Sequence, residues 1–250
     1  MNDILQYGLL IIVGMLAGVI NTLAGGGSLL TLPVLIFMGL PPNVANATNR
    51  IGIAFQALIG TAGYRSKGVS NFPFNIYLGI SALIGSLIGA QIAVDIKGET
   101  FNKLLAIIML FVVAVIVFKP KASSLQLPER LTGKYLFYAI IGFFFIGIYG
   151  GFINAGIGFV IILFLNNVNR LSLMKTNVTK VSLVFIYTCG ALALFAYNGK
   201  VDWSTGFVLA IGTSMGAWWS SRWSVDKGEG VIKIAMVIMV SLMSIKLWFF

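Results

Sequence analysis

Long apolar runs, parted by short polar stretches, fill the whole chain. Residues 76–92, 104–118 and 232–244 are typical, and no polar stretch exceeds about 15 residues. About 20 apolar residues carry a helix across the hydrocarbon core of a bilayer. The pattern predicts ten helical segments, five in each half. The first half gives 4–22, 28–38, 44–64, 74–94 and 100–118. The second gives 135–153, 157–166, 173–197, 204–223 and 230–249.

The second segment of each half is short, at about ten residues. At 1.5 Å per residue it covers roughly half a bilayer. Such a segment either re-enters, leaving four spans per half and halves of equal orientation, or completes a broken helix, giving five spans and inverted halves. The fold expected is an all-α polytopic membrane protein of 8–10 membrane segments. It has two homologous repeats, each with a short broken or re-entrant helix.

Composition agrees with the pattern. Of 250 residues 58% are hydrophobic and 10% charged, against about 25% charged in soluble domains. The net charge of +10 does not call for nucleic acid, because the cations sit in short loops, as orientation signals do. They also choose between the two topologies. Four spans per half split the 17 lysines and arginines 8 to 9, whereas five spans split them 12 to 5. The positive-inside rule expects asymmetry, which favours inverted halves with the central linker cytoplasmic and both termini outside. The organisation expected is a first repeat over 1–118, a linker over 119–134 and a second repeat over 135–250.

The first segment follows only Met1, Asn2 and Asp3, without the basic start of a signal peptide, and is expected in the mature protein. Cys189 is the single cysteine, so no internal disulfide or C-x-x-C pair exists. There is no histidine, and the seven acids all fall in expected loops or termini. Hydrolases, metal enzymes and intramembrane proton relays draw on such groups. The sequence therefore points to no enzyme, no catalytic residue, no metal site and no cofactor.

The membrane-embedded polar residues cluster twice. Asn21, Thr22, Gly25, Gly26, Gly27 and Ser28 precede one short segment, and Thr48, Asn49 and Arg50 follow in the next. In the second half Asn154, Gly156 and Gly158 precede the other, and Lys175, Thr176, Asn177 and Lys180 follow. Thr48-Asn49 and Thr176-Asn177 lie 128 positions apart. Matching interruptions in two halves mark transporter sites at a repeat interface. A helix N-terminus offers free N–H groups and partial positive charge to an anion, and glycine admits it to the backbone. Arginine offers a fork of donors to an oxyanion; the plainer reading of each cation is snorkelling to the interface. Gly14/Gly18 and Gly85/Gly89 read as helix-packing glycines.

The run Asn21-Thr22-Leu23-Ala24-Gly25-Gly26-Gly27-Ser28, with Pro33, Gly39, Pro41 and Ala47-Thr48-Asn49, closely resembles the first motif of the sulfite exporter TauE/SafE family of bacterial permeases. Gly151 to Asn154 and Thr176-Asn177 resemble its weaker repeat, without a triple glycine. The resemblance covers essentially the whole chain. It implies a multi-pass protein of the bacterial inner membrane that moves sulfite, thiosulfate or organosulfonates. The expected mechanism is alternating access, one half rocking against the other around an anion near the midplane. The expected partners are that anion and the lipid bilayer, with a homo-oligomer left open. The rival reading is a non-transporting membrane scaffold or assembly subunit.

Overall fold

The computed structural model describes residues 3–117 and 128–227 and is all-helical over them. The helices are α1 (Asp3–Leu23), α2 (Ser28–Phe37), α3 (Pro42–Arg65), α4 (Phe74–Asp95), α5 (Gly98–Val117), α6 (Gly133–Ile153), α7 (Ile157–Val168), α8 (Leu173–Tyr197) and α9 (Trp203–Lys227). They coincide with the first nine expected segments to within a few residues. The tenth, 230–249, lies outside the described residues, as does most of the linker. Of the described helices, Leu5–Leu23, Phe74–Asp95, Gly133–Ile153 and Leu173–Tyr197 are long and apolar enough to cross a membrane.

The close packing crosses between the halves of the sequence. α4 lies along α6 and α8, while α9 lies along α1 and α3. Glycine makes both seams. A Cβ on Gly18 would sit 2.2 Å from the Thr213 carbonyl oxygen, and one on Gly216 would sit 2.1 Å from that of Met15. The other seam repeats this: Gly89 against Ile148 at 1.9 Å and Gly151 against Ser86 at 2.0 Å. Lipid supplies no hydrophobic drive between helices, so backbones held this close associate through dispersion. Gly14/Gly18 and Gly85/Gly89 thus serve packing, as their spacing suggested.

Register gives each helix its direction. Met15 meets Gly212 and Val19 meets Gly216, in ascending order, so α1 and α9 are parallel. α3 runs with α9, as Ile51 meets Gly206 and Gly63 meets Ser221. α4 runs with α6, through Gly85 to Phe144 and Gly89 to Ile148, and with α8, through Gly79 to Ile186 and Gly190 to Leu83. α3 opposes α8, because Ala47 packs near Phe195 and Tyr64 near Val178. Hence α1, α3 and α9 point one way and α4, α6 and α8 the other. α2 turns back along α1, with Gly27 against Ala17 and Leu35 clustered with Leu10 and Ala45. Over α1–α4, α6, α8 and α9 these are the directions that five segments per half require.

The two ends of the bundle differ in charge. One gathers the C-termini of α3, α7 and α9 with the start of α6, tied by Lys67–Asp226 at 2.7 Å and Lys175–Glu129 at 2.8 Å. It carries Arg65, Lys67, Arg130, Lys134, Arg170, Lys175, Arg222 and Lys227; the other carries Lys97, Lys103 and Lys200. Arg50 and Lys180 belong to neither end, being buried in the middle.

Candidate functional site

α1 and α6 both stop at a Gly/Asn cluster, and the two breaks touch. Gly25 turns the chain with φ +94°, a conformation that side chains resist. A Cβ on it would lie 2.4 Å from Gly158 Cα, and one on Gly158 would lie 2.2 Å from Gly25 Cα. α2 and α7 therefore begin beside each other in the core. Neither first turn has a side-chain cap. The N–H groups of Gly26, Gly27 and Ser28, and of Gly156, Ile157 and Gly158, donate to no acceptor in the described protein.

The opposite poles, the C-termini of α1 and α6, are covered by the other half's long helix. From α3, Asn46 Nδ2 donates to Phe152 O at 2.8 Å. Arg50 donates to Gly150 O at 2.8 Å and Gly151 O at 2.6 Å, its guanidinium 5.0 Å from the Phe195 ring centroid. From α8, Asn177 Nδ2 donates to Leu23 O at 2.9 Å and Lys180 Nζ to Thr22 O at 3.0 Å. Asn46 and Arg50 are four apart, Asn177 and Lys180 three apart, spacings that share a helix face. A helix ends with unpaired carbonyls and about half a negative charge. An asparagine and a cation answer both.

A cavity with room for about one water molecule adjoins the two breaks, lined by Asn21, Gln56, Asn154, Ile157, Gly158 and Lys180. Asn21 Nδ2 donates to Gln56 Oε1, and Gln56 Nε2 to Thr22 Oγ1 at 3.2 Å. Tyr187 donates to Asn154 Oδ1 at 2.7 Å. The Tyr149 hydroxyl donates to the Ala155 carbonyl.

The structure thus brings together Asn21, Thr22, Gly25, Gly26, Gly27, Ser28, Asn154, Gly156, Gly158, Asn177 and Lys180, with Arg50 behind α6. It sets the others apart. Thr48 Oγ1 accepts from the Asp202 N–H at 3.0 Å, at the bundle end. Asn49 Oδ1 accepts from Thr31 at 2.7 Å and braces α2. Thr176 donates to Asn166 at 2.7 Å and braces α7. Lys175 sits at the charged end with Glu129. Sequence reasoning missed Gln56, Tyr187 and Asn46. Gln56 lies seven positions after Asn49, and Tyr187 seven after Lys180, so helical spacing signalled both. Among the described residues no three His, Cys, Asp or Glu come together as metal ligands.

Among the described residues no carboxylate joins this centre. The described acids Asp95, Glu99, Glu129 and Asp226 are exposed, and Asp202 is half-buried in a loop. What remains is a buried, electropositive polar centre where two broken helices meet.

Known proteins match most of the length of this chain. It is 32% identical over 246 residues to the "Probable membrane transporter protein YfcA" of Escherichia coli (strain K12), covering 97% of the chain and 90% of that protein. It is 29% identical to a "Probable membrane transporter protein" of Haemophilus influenzae, covering 96% and 93%. Against "Probable membrane transporter protein YunE" of Bacillus subtilis identity is 21%, covering 87% of each. No solved structure matches. The family described as Sulfite exporter TauE/SafE matches residues 10–247. With its apolar helices and paired breaks, the chain belongs to that family of membrane transporters.

Proposed function

We propose that this membrane transporter moves small sulfur-containing anions such as sulfite, thiosulfate or organosulfonates across a bacterial inner membrane. One observation carries the reading. Arg50 and Lys180 are 0% and 2% exposed and have no acidic partner among the described residues, so the centre is positive and the described residues hold nothing there to repel an anion. A charge buried in a membrane protein marks a substrate path, and the unpaired N–H groups of α2 and α7 add donors aimed at the same place. Asn21 and Asn154 border the cavity, with Thr48, Asn49, Arg50, Thr176 and Asn177 holding the helices around it.

The packing of the helices suits alternating access. The glycine seams bind α9 to α1 and α4 to α6 with no space to slide. The bodies that rock are therefore α1, α2, α3 and α9 against α4, α6, α7 and α8, rather than the two sequence halves. The α3–α8 interface and the touching breaks lie between them. The two halves are then inverted repeats whose fourth helices have exchanged places. The end rich in cations faces the cytoplasm. Efflux of an anion from a negative interior gains about 2.3 kcal/mol per charge per 100 mV, so no protein carboxylate is needed to drive it.

Flux of radiolabelled sulfite, thiosulfate and taurine in proteoliposomes tests the reading. At least one should move, and faster when the potential expels anions. A protein that moves none, and is not stabilised thermally by any, fits the scaffold reading instead, since a ligand stabilises the fold it binds.

A further inference from the structure

The two breaks are not equivalent, and the difference lies in what each asparagine can still offer. Asn21 spends its Nδ2 on Gln56. Asn154 is 4% exposed, and its Oδ1 is taken by the Tyr187 hydroxyl at 2.7 Å. A hydroxyl donates to the carboxamide oxygen and not to its NH2, so the bond sets which way the carboxamide faces. Among the described residues Asn154 Nδ2 donates to no acceptor, and Asn154 lines the cavity. Two further donors share that cavity. Lys180 places two of its three ammonium protons, on Thr22 O and Asn177 Oδ1. Gly158 and Ile157 present N–H groups at the start of α7 without acceptors.

Resting on the transport reading above, we propose that the anion's oxygens are bound at the α7 break by Asn154 Nδ2, Lys180 Nζ and the α7 N–H groups, and that Tyr187 is the positioning residue that aims Asn154. The substrate class is a compact oxyanion or sulfonate head, desolvated and held by one cation and several neutral donors. The triple-glycine break would then hold the neighbouring half-helix in place and guard the other side. Specificity follows the same logic. A site built of donors rejects an analogue lacking the matching oxygens far more strongly than a site built on size alone.

KM and maximal flux for the three anions in proteoliposomes, measured for Tyr187→Phe, Asn154→Ala and the double variant, form the test. Tyr187→Phe should raise KM about tenfold with maximal flux changed little, and the double variant should be no worse than Asn154→Ala alone. Unchanged KM in Tyr187→Phe, or fully additive losses, overturns the positioning role; a purely structural tyrosine would lower thermal stability without moving KM. Should Tyr187→Phe fail to fold, Asn154→Asp decides. It keeps an acceptor for the Tyr187 hydroxyl but turns a donor into a negative oxygen. KM should rise more than a hundredfold in folded protein, and a normal KM overturns the site. Wild-type protein that moves none of the three anions overturns the transport reading and this site with it; sound wild-type transport with unmoved variants counts against the site alone.

Discussion

Arg50 and Lys180 are both buried cations, and each lies on the C-terminal carbonyls of a broken helix from the other half of the chain. They divide the work differently. Arg50 commits both Nη atoms to Gly150 and Gly151 and stacks near Phe195, so its positive charge is fixed by the fold. Lys180 reaches Thr22 O and Asn177 Oδ1, keeps one proton, and borders the cavity. A planar fork suits two adjacent carbonyls; a compact ammonium can cap one and still turn a donor elsewhere. On the proposed site, the comparison teaches that a buried cation in a transporter need not touch the substrate. It can instead neutralise a helix end whose other pole binds.

The largest effect is expected at Arg50. Arg50→Met takes the charged donor from two buried carbonyls of α6, Gly150 O keeping only the Asn154 N–H at 3.4 Å, and a lost hydrogen bond to a charged group costs about 1.5–3 kcal/mol. Thermal unfolding in detergent should show that loss, while anion binding per folded molecule falls by less than in Lys180→Met. A variant as stable as wild type would break the capping account.

Lys180→Met should lose both. Its stability falls less, because one carbonyl and one amide oxygen are freed. Anion affinity per folded molecule should fall at least tenfold, which is about 1.4 kcal/mol. Equal affinity losses in the two variants would erase the distinction between the cations. Lys180→Arg sharpens it, since the charge stays but the fork cannot reproduce the ammonium's geometry, and affinity should fall in part.

Gly25→Ala probes the contact that joins the two capped ends. A left-handed backbone costs a side chain about 1–2 kcal/mol, and the new Cβ would press on Gly158. We expect reduced flux for all substrates alike, with a modest loss of stability. A selective change for one anion would place the triple-glycine break, rather than the α7 break, at the substrate.

Much of this arrangement was legible in the sequence, and the rest was hidden for a physical reason. Segment lengths marked both short helices, and the glycines and asparagines marked where α1 and α6 end. The spacing of Gly14/Gly18 and Gly85/Gly89 marked packing faces. A single chain does not say which helix lies across from a face, so the exchange of α4 and α9 was not readable. Nor was the reach of Arg50 to Gly150 across 100 positions. The motif at Thr48-Asn49 and Thr176-Asn177 shows the limit well. Identical residue pairs at matched positions hold quite different partners: a loop N–H and Thr31 in one copy, Asn166 and the Leu23 carbonyl in the other.

The smallest effect is expected at Lys175, which the sequence grouped with Lys180. Its ammonium meets Glu129 at 2.8 Å, with the two side chains 44% and 30% exposed. A pair that wet contributes about 0–1 kcal/mol, and less in salt. Lys175→Gln should therefore leave KM unchanged for every anion and barely move thermal unfolding, in contrast to Lys180→Met five positions on. If Lys175→Gln instead lowers affinity tenfold at low salt and the loss vanishes in high salt, the cationic end of the bundle attracts the anion on its way in. The two lysines would then mark the entrance and the seat of one path, and charge at a distance would join the buried donors in setting affinity.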